Sequence, residues 1–72
     1  MYYRLKAEII YKGYNVKEFA SLCGISYSAF LRKLSYKRDG KNDFTLDEAI
    51  RIRDLLKSDL SLEELFTWED RT

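Results

Sequence analysis

Residues 19–30, Phe19-Ala20-Ser21-Leu22-Cys23-Gly24-Ile25-Ser26-Tyr27-Ser28-Ala29-Phe30, decide how this chain folds. Ala20 is small enough to let two helices approach closely. Gly24 supplies the turn between them, because glycine takes positive φ cheaply at a helix C-terminus. Ile25 plugs the corner, and Ser26 can cap the helix that follows. Phe30 then packs back against Phe19 and Ala20. This order of residues predicts two short helices held at a fixed angle, the second with one face left outside. That outer face carries Tyr27, Ser28, Leu31 and Arg32.

On the N-terminal side, Tyr2, Leu5 and Ile9 recur at helical spacing and predict a first helix over about residues 2–11, ended by Gly13. Asn15 with Glu18 three residues later resembles a capping box and opens the second helix, which Gly24 stops. The third runs from Tyr27 to about Leu34, with Phe30 and Leu34 four apart on one face. Thr45 with Glu48 opens a fourth through Leu46, Ala49, Ile52 and Leu56. Ser61 with Glu64 opens a short fifth with Leu62, Leu65 and Phe66. Between helices three and four, residues 35–44 read as a polar loop. Asp39-Gly40 favours a tight hairpin turn there, between Tyr36 and Phe44, but the flanks lack the alternation of a β-wing. The expectation is an all-α fold of five short helices, with a helix-turn-helix at about residues 16–34, in a single domain over residues 1–72.

The composition agrees with one small compact unit, since 72 residues leave no space for a second core. The chain is 46% hydrophobic and 35% charged, unlike a disordered tail. It has no histidine, which excludes Ser-His and Cys-His nucleophile pairs, histidine metal clusters and histidine pH switches. The one cysteine, Cys23, cannot make an internal disulfide, so a reducing, cytoplasmic setting is expected. No apolar run approaches the ~18 residues of a membrane span, and no signal peptide opens the chain. Surface carboxylates are the only candidate general bases, so an enzyme is not expected.

A net charge of +1 conceals a gradient. Residues 1–41 hold nine basic and three acidic residues, or +6, whereas residues 42–72 hold four basic and nine acidic ones, or −5. One end is suited to a polyanion and the other to solvent or a partner. The densest positive cluster, residues 32–41, has five basic residues against one acid and directly follows the third helix.

FASLCGISYSAFLRKL resembles the helix-turn-helix of lambda-repressor-like regulators of the Cro/CI type. FTLDEAIRIRDLL…SLEELF is similar to their fourth and fifth helices. The likeness covers about residues 3–66 and is strongest to small phage-encoded proteins. It implies an all-α domain that binds double-stranded operator DNA, usually as a homodimer, with no cofactor and no small-molecule ligand. The loop after the third helix is longer than the turn common in that family.

Matched to this sequence, base contacts fall to Tyr27, Ser28, Leu31 and Arg32. The Arg32 fork can pair with guanine O6 and N7, or it can clamp a phosphate. Tyr27 can donate to a base or lie on a thymine methyl; Leu31 can touch such a methyl or pack inward. Contacts to the DNA backbone are expected from Asn15, Val16 and Lys17 and from Lys33, Lys37, Arg38 and Lys41.

The family's last helix often builds the dimer contact, which makes Phe66 and Trp68 the expected interface residues, with Phe66 also suited to the core. Cys23 reads as a small buried hydrophobe whose nearest basic residue in sequence is Lys17. Tyr2, Tyr3, Tyr11 and Tyr14 read as packing and surface residues rather than a stacking platform for single strands. Asp47, Glu48, Glu63 and Glu64 complement helix dipoles, and Glu69 and Asp70 belong to a frayed tail. The competing expectation is a helical protein-interaction module, an antirepressor or antitoxin-like partner with little specific DNA binding. Chain length fits a complete Cro-sized protein or the head of a longer repressor equally well.

Overall fold

The computed structural model describes residues 1–35 and 43–69. The described chain is all-α, with α1 at Tyr3–Tyr11, α2 at Val16–Leu22, α3 at Tyr27–Ser35, α4 at Leu46–Leu56 and α5 at Leu62–Leu65. Three side-chain caps stand where the sequence places them. Asn15 accepts from the Glu18 amide, while Thr45 with Glu48 and Ser61 with Glu64 form complete capping boxes. Each satisfies first-turn amides that have no partner inside the helix. Ser26 Oγ also accepts from the Ala29 amide at 3.2 Å.

α1 starts differently, because Tyr2 offers no side-chain cap. Its backbone N–H instead donates to Leu34 O at 3.0 Å, fastening the start of α1 to the last turn of α3.

Helix–helix packing buries Leu5 and Ile9 of α1, Phe19 and Ala20 of α2, Phe30 and Leu34 of α3, Ile52 and Leu56 of α4, and Leu65 of α5. A run of touching rings passes through this core. Tyr14 meets Phe19, Phe19 meets Phe30, and Phe30 meets Phe44. Phe44 continues to Phe66, and both pack on Tyr2 with Trp68 beyond it. Centroid separations of 5.0–6.2 Å and tilted to edge-on planes fit the ring quadrupole preference. Phe44, at the edge of the expected polar loop, is half-buried and packs against the core. The hairpin expected at Asp39-Gly40 lies outside the described residues.

Glu69 is not frayed. Its N–H donates to Met1 O at 3.1 Å, and its carbonyl accepts from the Met1 amine at 2.8 Å. Asp70 lies outside the described residues. Among the described residues no helix is long and apolar enough to cross a membrane.

Candidate nucleic-acid interface

α2 and α3 meet across Gly24, whose φ of +74° is the left-handed region open to glycine. A Cβ there would meet nothing within 4 Å, so the backbone torsion, and not lack of space, calls for glycine. Ile25 N–H donates back to Ala20 O at 3.0 Å and closes the turn. Fully buried Ala20 lets α3 come close, and the Phe19 and Phe30 rings stack edge-on at 6.2 Å.

Those contacts commit the Phe30–Leu34 face of α3 to the core. The opposite face keeps Tyr27, Ser28 and Arg32 exposed and Leu31 half-buried. Tyr27 retains 45% of its surface. At N-terminal and mid-helix positions these four project together, as residues separated by one turn do.

Asn15, Val16 and Lys17 at the start of α2 lie beside that face. With Tyr27 and Leu31 they line one cleft of about 470 Å³, which α1 completes with Lys6 and Ile10. The Asn15 side chain is engaged with Glu18 through both its amide groups, Val16 is half-buried, and Lys17 is exposed. Ser28 and Arg32 stay outside the cleft lining, further around the same helix.

Lys33 differs from Lys17 and Arg32, which are both exposed. Its Nζ lies 2.7 and 2.9 Å from the two carboxylate oxygens of Glu48, tying α3 to α4. A phosphate at Lys33 would have to compete with that carboxylate. Burial pushes the Glu48 carboxyl up, but the Lys33 and Thr45 hydrogen bonds and the Lys33 charge together hold it below its ordinary value. Lys37, Arg38 and Lys41 lie outside the described residues.

The remaining sequence candidates are occupied within the chain. Trp68 packs edge-on to Tyr2 at 5.0 Å, and Phe66 packs on Tyr2 and Phe44. Cys23 is buried, and burial pushes its thiol up to about 11, with Arg51 drawing it down and Glu48 adding to the rise. Its basic neighbour is therefore Arg51 and not Lys17. Arg51 Nη1 also donates to Cys23 O at 3.2 Å and so satisfies a carbonyl at the end of α2.

Lys6, Ile10, Arg51 and the partner of Lys33 were all missed by sequence reasoning. One signal was present for Ile10: Ile9 and Ile10 are adjacent, and one helix cannot bury both on the same narrow stripe. Among the described residues no cluster of carboxylates or cysteine could hold a metal ion. No protein-family model, curated protein or solved structure matches the chain.

Proposed function

We propose that the protein is a sequence-specific double-stranded DNA-binding transcriptional regulator, a phage-type repressor that presents α3 to the major groove of operator half-sites. The observation that carries this reading is the division of α3. Phe30 and Leu34 are held in the core while Tyr27, Ser28 and Arg32 stand exposed on a helix fixed by the Gly24 turn. An α-helix fits the major groove, where each base pair shows its own donor and acceptor pattern. Arg32 reads guanine through its fork, Tyr27 contacts a base or thymine methyl, and Ser28 and Leu31 complete the surface. Lys17 supplies a phosphate contact beside α3, joined by Lys37, Arg38 and Lys41 in the basic segment that follows it. The resemblance of residues 19–34 to Cro/CI-type regulators supports the same reading, with a homodimer spanning two half-sites about 34 Å apart.

Selection of bound duplexes from a random DNA pool, at low and at moderate salt, tests it. Recovery of an inverted repeat with half-sites about one helical turn apart is the expected result. Weak, unselective binding that disappears with salt would reject it and leave only non-specific electrostatics. A second reading, a protein-interaction module, is favoured by one observation: the cleft beside α3 is largely apolar and exposes Ile10.

A further inference from the structure

We propose that the cleft between α1 and the outer side of α3 is a docking groove for an acidic amphipathic helix of a partner protein, and that its occupation excludes DNA. Ile10, Val16, Tyr27 and Leu31 give the cleft of about 470 Å³ an apolar lining, and Lys6 and Lys17 bring positive charge to it. Ile10 is 56% exposed. An apolar surface left in water gains when another apolar surface covers it.

Charge narrows the choice of occupant. Neither lysine has an ion-pair partner among the described residues, and no carboxylate stands among the described residues lining the cleft. The lysines therefore match an acidic segment, and the lining matches leucine- or phenylalanine-like side chains at i and i+4 of a helix. A sugar–phosphate strand would satisfy the lysines but bring little apolar surface to Ile10 and Leu31. Displacement of DNA rests on the proposed DNA-binding role of α3, because Tyr27, Leu31 and Lys17 serve both partners; docking itself does not depend on it.

The test titrates ¹⁵N-labelled protein with a synthetic amphipathic helix bearing leucines at i and i+4 flanked by glutamates, and with a counterpart carrying lysines for the glutamates. The acidic peptide is expected to shift the amides of Ile10, Val16, Tyr27 and Leu31, and the basic one is not. Ile10→Asp, a change at an exposed position, should lower the acidic peptide's affinity about tenfold or more. Lys17→Glu should also weaken it, by a factor that shrinks as salt is added. Equal shifts from both peptides, shifts confined to other faces, or none would overturn the proposal. So would shifts at these amides on concentrating the protein alone, which would mark a second copy as the occupant.

The acidic peptide is then competed against the duplex recovered by selection. Failure to recover any duplex would defeat the DNA-binding reading, while the amide shifts still decide docking. A duplex that itself shifts Ile10 and Val16 while the acidic peptide is silent would assign the cleft to DNA and overturn docking alone.

Discussion

Lys33 and Glu48 are joined by two hydrogen bonds, 2.7 and 2.9 Å from one ammonium to both oxygens of one carboxylate, across the α3–α4 boundary. Glu48 also accepts from the Thr45 N–H and completes the cap of α4. One side chain thus sets both the start of a helix and its attachment to α3.

Glu48→Gln should therefore cost more than a surface substitution. Loss of the charge-assisted pair and weakening of the box should together cost about 1–2 kcal/mol in urea unfolding. Lys33→Met should cost less than Glu48→Gln, and the double variant should be less destabilised than the two single costs added together. The folded Glu48 carboxyl lies below its ordinary value of 4.5, so its contribution is fully present above that pH. It is lost as pH falls through the depressed folded value. Unfolding followed from pH 7 down to pH 3 should show an acid decline that is shallower in Glu48→Gln.

Two backbone substitutions should act in opposite directions. Gly24→Ala forces a Cβ into φ +74° with no clash to relieve, and should cost about 1–2 kcal/mol from the torsion. Lys57 ends α4 at φ +50°, a left-handed position where glycine is commonly found. Lys57→Gly should raise stability by about 0.5–1 kcal/mol, read from the urea midpoint at unchanged m-value.

Tyr2 predicts an alkaline limit. Burial, then its hydrogen bond to Asp43, then the Asp43 charge push the phenol well above its ordinary value of 10.0. A raised phenol favours the folded state fully below pH 10, and the contribution is lost as pH rises past it. Thermal unfolding between pH 9 and 11 should decline less steeply in Tyr2→Phe, whose own cost near neutrality should be about 1 kcal/mol. Tyr2→Ala also removes the ring from its contacts with Phe44, Phe66 and Trp68, and should cost about 3–5 kcal/mol.

On DNA, Arg32→Ala should relax preference at one base position by about 1–3 kcal/mol, with other positions unchanged. Lys17→Ala should weaken all sequences alike and reduce the salt slope by about 0.9. Lys33→Met should leave that slope nearly as it is, because its charge is already neutralised by Glu48. Uniform weakening by Arg32→Ala would remove its base-reading role.

The legible parts of the fold were the local ones. Asn15 with Glu18, Thr45 with Glu48 and Ser61 with Glu64 each act over three residues, so their chemistry is written contiguously in the chain. Gly24 and the alternation of Phe30 with Tyr27 and Ser28 along α3 are equally local. The illegible parts join distant residues: Lys33 to Glu48 over 15 positions, Cys23 to Arg51 over 28 and Tyr2 to Asp43 over 41. No propensity or period specifies such pairs; they exist only once the helices have docked. Phe44 illustrates the point, since its polar neighbours suggest a loop while Tyr2, Phe30 and Phe66 hold its ring.

Tyr2 packs on Phe44, Phe66 and Trp68, and Met1 pairs with Glu69. During synthesis Met1 and Tyr2 thus wait for Trp68 and Glu69. Until residue 68 emerges, Tyr2 lacks a ring it packs on, so α1 should stay loosely docked. Closing so long a loop is the entropically costly step, and it comes late. Translation pauses within α5 would therefore prolong a state with Leu5 and Ile9 uncovered, the form most exposed to proteases and aggregation.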